Sequence, residues 1–198
     1  MRHRDAMGSM IHLASLNLAE TLGRFKPWHG SEPITEANLV LQLASVFTNR
    51  TPKGMAFVEV PFKGKGKRTD KRLDLLLSNA ECGYLVESKI LHSEEQAQSI
   101  AKDISRLDGD LVSELSGRYI QDAPAHWHGV VLAETWNREV VKWWKSDSTT
   151  KRRWKRSGYP ENWHFDSVEV HRVHDGTEGT LFWVWGIGPA LDRFTKPS

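Results

Sequence analysis

The chain has 198 residues, 26% of them charged and 39% hydrophobic, and its formal net charge is +2 at pH 7. This length suits one α/β domain with a sizeable core. Because the charge is nearly balanced, composition alone does not indicate a nucleic-acid-binding protein. The single cysteine, Cys82, excludes an intramolecular disulfide and a zinc site built from cysteines. No apolar run is long enough to span a membrane, so we expect no membrane partner and a cytoplasmic location.

Residues 1–9 form a polar segment typical of an expression tag or a disordered end, and we expect residues 10–198 to form a single domain. Apolar residues at helical spacing predict a first helix over Ile11–Leu22. A second helix is predicted to follow, with Ser31 or Thr35 as its cap. The leading part of the fold is therefore expected to be helical.

Two strand-like runs, Arg72–Ser78 and Cys82–Ile90, carry charged residues inside otherwise apolar sequence. Only three residues separate the runs, so we expect an antiparallel hairpin. Glu87 and Lys89 should project from the same face, because side chains alternate along a strand. Asp74 lies inside a leucine run, where an ionised carboxylate is costly unless it is paired or holds a metal. Two carboxylates and an ammonium on neighbouring strands favour a site for a hard divalent cation and a water.

The remaining elements continue this pattern of strands and helices. A strand is predicted over Met55–Phe62, and a helix begins after Lys89 with a capping box made by Ser93 and Gln96. The apolar stripe of this helix runs on to Leu111. Beyond it the sequence predicts a buried strand, a short helix and a pair of strands, over 127–135, 137–145, 168–173 and 181–187.

Asp74 on one strand, followed by Glu87-Ser88-Lys89 on the next, resembles the signature of the PD-(D/E)xK nuclease superfamily, which has the restriction-endonuclease-like fold. The proline that gives the motif its name is absent, because Leu73 precedes Asp74. The resemblance extends from about residue 36 to residue 111. It implies an α/β fold in which helices flank a mixed sheet, with an α-β-β-β-α-β core and an added C-terminal strand pair.

The resemblance also implies a role for each residue of the motif. Asp74 and Glu87 would bind Mg²⁺ or Mn²⁺, with the main-chain carbonyl of Ser88 as a further oxygen ligand. Lys89 would orient the attacking water or stabilise charge on the phosphorus. Glu36, on the apolar stripe of the second helix, would hold a second metal or a metal-bound water. The implied activity is metal-dependent hydrolysis of phosphodiester bonds, with DNA as the expected substrate and an endonuclease as the expected form.

Each of these residues also has a plainer interpretation. Asp74 could pair with Arg72, and Glu87 and Lys89 could form an exposed pair across two strands. Glu36 could lie in the first turn of its helix only because a negative charge there favours the helix dipole.

Two clusters of basic residues could contact phosphate groups. The first follows the strand over 55–62 and contains glycines, whose backbone N–H groups suit phosphate oxygens; its members are Lys63, Lys65, Lys67 and Arg68. The second interleaves cations with an aromatic ring that could stack on a base; its members are Lys151, Arg152, Arg153, Trp154, Lys155 and Arg156. A solvated surface segment has the same composition, so both clusters are hypotheses about nucleic-acid contact.

The expected partner is therefore a nucleic acid, with a homodimer as a further expectation. One alternative is a non-catalytic nucleic-acid-binding or protein-interaction module built on the same fold. Another is an interaction domain that uses the tryptophan-rich C-terminal half, since nine tryptophans is a high number for this length. A large exposed aromatic patch would favour the latter.

Overall fold

The computed structural model describes residues 2–24, 35–63, 71–146, 158–173 and 179–191. The helices within these residues are α1 (Arg2–Arg24), α2 (Glu36–Arg50), α3 (Glu94–Arg106), α4 (Gly109–Tyr119) and α5 (Arg138–Lys145). The strands are β1 (Met55–Phe62), β2 (Lys71–Ser78), β3 (Cys82–Ile90), β4 (His126–Thr135), β5 (His164–Val173) and β6 (Gly179–Ala190).

The six strands form one mixed sheet in the order β1-β2-β3-β4-β6-β5. Only β3 and β4 are parallel neighbours among these strands, and the others pair antiparallel. The parallel pair requires a crossover, which α3 and α4 provide. The predicted α/β class, with helices flanking a mixed sheet, is confirmed.

Two hydrophobic clusters cover the two faces of the sheet. On one face α1 and α2 pack against β3 and β6 through residues that include Ile11, Leu43, Val86 and Trp183. On the other face α3, α4 and α5 pack against the same sheet through residues that include Ile104, Leu115, Trp127 and Trp144. Strand β3 is buried on both faces from Cys82 to Ser88, so charged side chains on it need specific partners.

For residues 2–9 the structure differs from the prediction of a tag or a disordered end. Helix α1 begins at Arg2, and Met7 is fully buried on the same stripe as Ile11 and Ala14. A polar composition with one well-placed apolar residue is enough to extend an amphipathic helix once a sheet face is available for it to cover.

The helix predicted to run from Ser93 to Leu111 is two helices. Its beginning is as predicted, since Ser93 and Gln96 form a capping box. Helix α3 ends at Arg106, and the Asp108 carboxylate then caps α4 by accepting a hydrogen bond of 2.9 Å from the backbone N–H of Leu111. The prediction was wrong here because the apolar spacing continues across the break.

The predicted C-terminal strand pair is present, and its inner member is β6. Hydrogen bonds join β6 to β4 on one side and to β5 on the other. Eight consecutive residues of β6, from Leu181 to Gly188, are buried. None of the described helices is both long and apolar enough to cross a membrane.

Candidate active site

Strands β2 and β3 separate at the position of the predicted motif. Their pairing runs from Ser78 opposite Gly83 to Leu75 opposite Val86. Asp74 is the next residue of β2, and no residue of β3 pairs with it. A gap therefore opens between the two strands where the motif residues lie.

The backbone of β2 is irregular at Asp74. The pairing of β1 with β2 passes over Glu59 and Asp74, and Glu59 has a positive φ of 55°. Leu73 and Leu75 belong to the clusters on opposite faces of the sheet, although residues two apart in a regular strand share a face. Irregularities of this kind re-aim side chains, and here the Asp74 side chain turns into the gap.

Two carboxylates bind backbone N–H groups of β3 that have no strand partner on the β2 side. Asp74 Oδ2 accepts hydrogen bonds from Ser88 N at 2.6 Å and Ser88 Oγ at 3.2 Å. Glu36 Oε1, from the first residue of α2, accepts a hydrogen bond from Ile90 N at 3.0 Å. We call residues 88–90, on the side of β3 facing the gap, the open edge. The carbonyl of Ser88 points to the same side as its N–H, so it also faces the gap.

The contacts argue against two of the plainer interpretations. Arg72 pairs with Glu59, with Nη1 3.4 Å from Oε2, while Asp74 binds Ser88. Glu87 is only 2% exposed, so it cannot be half of an exposed pair. Glu36 is the first residue of α2, as the dipole interpretation requires, and it also contacts β3.

Helix α3 supplies the partners of Glu87 and Lys89. Arg106 Nη2 lies 3.0 Å from Glu87 Oε1 and 2.6 Å from Asp103 Oδ1. Lys89 Nζ lies 3.7 Å from Asp103 Oδ2. Asp103 is buried, and it links Lys89 to Arg106 because each of its two oxygens lies near one of these cations.

The pKa of Glu87 is raised to about 8. Burial is the largest cause, and the negative charges of Asp74 and Asp103 add to it, whereas the Arg106 guanidinium opposes it. Ionising Glu87 next to Asp74 is thus unfavourable unless more positive charge reaches the pair. This is the electrostatic condition under which a bound cation is stabilised.

Lys89 is surrounded by carboxylates. Burial lowers the pKa of its ammonium, but the negative charges of Glu36, Asp103, Asp74 and Glu87 outweigh burial, so the pKa is raised. Lys89 therefore carries its charge at neutral pH. Because all four carboxylates act on one ammonium, the structure brings Glu36, Asp74, Glu87 and Lys89 into a single charged cluster.

The sequence analysis missed Asp103 and Glu134. Glu134, on β4, is fully buried, and neither carboxylate oxygen has a hydrogen-bond partner. Its pKa is raised to about 8, first by burial and then by the charge of Glu36. Trp183 lies opposite Glu134 on β6, and its indole N–H is also buried without a partner. Both carboxylates lie within apolar patterns, as Asp74 does. The argument applied to Asp74, that a carboxylate inside an apolar pattern needs a specific partner, would therefore have identified them.

Glu134 should make the stability of the fold depend on pH. Its pKa in the folded protein is above the ordinary value of 4.5, so the folded state keeps a proton that the unfolded state loses. Stability should therefore fall as the pH rises from about 4.5 to about 8, by up to about 1.4 kcal/mol per pH unit for one group. Glu134→Gln, which mimics the neutral acid, should reduce the fall of the melting temperature with pH over this range and leave the part that Glu87 contributes. The exposed Glu161→Gln is the control, and parallel curves for wild type and Glu134→Gln would contradict this assignment.

The predicted metal ligands fit a hard cation as a set of two carboxylates and one carbonyl. Mg²⁺ in proteins is commonly held by one or two carboxylates, with waters and substrate phosphates completing its coordination. The crowding of Asp74 and buried Glu87, which raises the pKa of Glu87, is what such a cation would relieve. No larger group of metal-binding side chains, with three or more from His, Cys, Asp and Glu, is placed to hold a metal among the described residues.

Of the residues in the two basic clusters, the structure describes Lys63. Lys63 is exposed, and its backbone N–H donates a hydrogen bond of 2.7 Å to Glu114 Oε1. The other predicted nucleic-acid contacts lie outside the described residues; these are Lys65, Lys67, Arg68, Lys151, Arg152, Arg153, Trp154, Lys155 and Arg156.

Comparison with known proteins gives no matching family model, no matching curated protein and no matching solved structure. The resemblance to the PD-(D/E)xK nucleases therefore depends on the motif residues and on their placement at the open edge of β3.

Proposed function

We propose that the protein is a metal-dependent nuclease of the PD-(D/E)xK type that hydrolyses phosphodiester bonds, with DNA as the first substrate to test. One observation carries this proposal. At the gap between β2 and β3, Asp74 and Glu36 bind the open edge, and Lys89 lies in the field of four carboxylates that include Glu87.

Asp74 and Glu87 would hold the cation, with the Ser88 carbonyl as a third oxygen. A bound Mg²⁺ or Mn²⁺ supplies an activated water and stabilises negative charge on the scissile phosphate. Hydrogen bonds position these ligands. Asp74 is fixed by the backbone N–H and the hydroxyl of Ser88, and Glu87 Oε1 is bound by Arg106.

Lys89 would act on the phosphate. Its ammonium is partly exposed, with 26% of the side chain accessible, and it stays charged because of the surrounding carboxylates. It can donate hydrogen bonds to a phosphate oxygen or to the attacking water. Glu36 acts on the same ammonium and lies at the same open edge, so it is placed to accept a proton or to bind a water there.

A binding module on the same fold is the second candidate, and the charges of the site argue against it. Carboxylates at the open edge repel a phosphate backbone unless a cation lies between them. A protein that only binds nucleic acid would gain nothing from buried Glu87 and Asp103 beside the gap. The tryptophan-based interaction domain finds no support among the described residues, where no tryptophan is an exposed large hydrophobic side chain.

The test is cleavage of a panel of labelled substrates with Mg²⁺, with Mn²⁺ and with EDTA. The panel contains duplex, single-stranded and branched DNA, and single-stranded and duplex RNA. We expect cleavage of at least one DNA substrate that needs the divalent cation. A protein that binds the DNA substrates and cuts none of the panel with either metal would favour the binding module.

A further inference from the structure

Arg106 contacts one oxygen of the carboxylate that the proposed function assigns to a cation. Its Nη2 atom contacts both Glu87 Oε1 at 3.0 Å and Asp103 Oδ1 at 2.6 Å. Glu87 has no other hydrogen-bonded partner of opposite charge among the described residues. Among the described residues, the guanidinium is therefore the positively charged group that contacts Glu87.

The contacts of Arg106 are incomplete in this state. One nitrogen serves two carboxylates, whereas a guanidinium usually binds a carboxylate through two nitrogens. Its Nε atom and Asp103 Oδ2 are both buried without a hydrogen-bond partner. An arginine fixed for stability alone would be expected to satisfy more of its five donors. The unpaired Nε is therefore a donor that a second arrangement of the side chain would use.

We propose that a divalent cation and Arg106 exchange at Glu87, and that the displaced guanidinium binds a phosphate of the nucleic acid. This inference rests on the proposed function, because it needs a cation at Asp74 and Glu87. The exchange follows from charge, since a second positive group beside Glu87 makes the Arg106 contact less favourable. Asp103 remains as an anchor for the arginine and for Lys89.

The position of Arg106 suits a phosphate. It lies in the last turn of α3, and 36% of its side chain is exposed, so the guanidinium can reach solvent without unfolding the helix. Arginine binds phosphate through two parallel N–H groups, which would also use the Nε donor that is now unpaired. A purely structural role predicts instead that the Glu87 contact persists with metal and with nucleic acid.

The first measurement is the melting temperature in EDTA and in Mg²⁺ or Mn²⁺, with metal affinity by calorimetry. Arg106→Gln leaves buried Glu87 without its charged hydrogen-bond partner, so this variant should be less stable than wild type in EDTA and should gain more from the metal. Its metal affinity should be about tenfold tighter, which is the effect of one nearby charge. Arg118→Gln is the matched control, since Arg118 lies in the last turn of the neighbouring helix and contacts the Pro61 carbonyl and the Tyr119 ring.

The outcomes separate this inference from the proposed function. Equal metal shifts for wild type, Arg106→Gln and Arg118→Gln would overturn the exchange while leaving the nuclease intact. If the metal changes the melting temperature of none of the three proteins and no substrate is cleaved, both the exchange and the proposed nuclease function are overturned. If Arg106→Gln does not fold, the double variant Arg106→Gln/Glu87→Gln removes both ionisable partners of this contact; it should fold and lose the response to metal.

The second measurement is the affinity for the intact DNA substrate that the cleavage panel identifies. It is made in saturating Ca²⁺ and at several salt concentrations. Arg106→Gln should bind less tightly than wild type, with a salt dependence reduced by about one phosphate contact. Arg106→Lys keeps the charge and should keep the salt dependence while losing the paired hydrogen bonds. An unchanged salt dependence in Arg106→Gln would overturn the phosphate contact.

Discussion

Replacing Lys89 with alanine is expected to lower the cleavage rate by about 100- to 1,000-fold while the fold and the metal affinity are kept. The loss follows from removing an ammonium on which Glu36, Asp74, Asp103 and Glu87 all act. Asp103 and Glu87 both keep their contacts with Arg106, so neither of these buried carboxylates loses its arginine. The metal affinity should not fall, because the change removes a positive charge from the site.

The measurement compares single-turnover cleavage at saturating substrate with metal binding for the same protein. Lys142→Ala is a suitable control, since Lys142 is exposed and pairs with Glu139 in the same helix. Loss of metal binding in Lys89→Ala would place the lysine in a structural role. A full cleavage rate in this variant would remove it from the chemistry.

Asp74→Asn should abolish both metal binding and cleavage without unfolding the protein. The asparagine side chain keeps an oxygen that can accept the hydrogen bond from Ser88 N, so the open edge remains satisfied. It removes the charge that a hard cation needs, and with it charge stabilisation of several kcal/mol, equivalent to a rate loss of about a thousandfold. Cleavage rate, calorimetric metal affinity and melting temperature are measured for the same variant.

Asp74→Ala is the companion variant that separates charge from hydrogen bonding. It leaves the Ser88 N–H without its acceptor, which should cost about 1 kcal/mol of stability at this partly exposed position. Both variants should lose metal affinity, but only the alanine variant should melt earlier. Normal metal binding by Asp74→Asn would exclude Asp74 as a ligand.

Local patterns predicted the elements that position the site. The three-residue connection after Ser78 and the alternation of Glu87 and Lys89 were sufficient to predict the β2–β3 hairpin, and the Ser93–Gln96 box predicted the beginning of α3. What alternation could not predict is the irregularity at Asp74. The irregularity involves Glu59 on the neighbouring strand β1, which has a positive φ. The leucine run around Asp74 in β2 carries no signal of that backbone conformation.

Strand order was also beyond local patterns, although one signal was present. The nearly continuous apolar run from Leu181 to Ile187 is typical of a strand covered on both faces, and the alternating run in β5 is typical of an edge. These patterns place β6 inside and β5 outside. The sequence prediction described β5 and β6 only as a strand pair, so it did not say which of the two lies next to β4.

The partners of the charged residues divide into two kinds. Asp103 follows Ile100 by three residues on the buried stripe of α3, so its burial could have been predicted from spacing. Arg106 sits at a helix end, where a basic residue is ordinary, and nothing local indicates that it contacts Glu87. That contact is set by how α3 packs on the sheet, which is a property of the whole fold.

The internal position of β6 also bears on when the charged cluster can assemble during synthesis. The chain is made from its N-terminus, so residues 36–106, which carry the cluster, are complete long before residues 179–190. Until β6 arrives, β4 lacks the neighbour that covers its outer side, and Trp144 lacks the Trp185 carbonyl that its indole N–H binds at 2.9 Å. A nascent or truncated chain ending before Gly179 would thus carry the motif on an unfinished sheet. For a proposed nuclease, this topology delays a working site until nearly the whole domain has been translated.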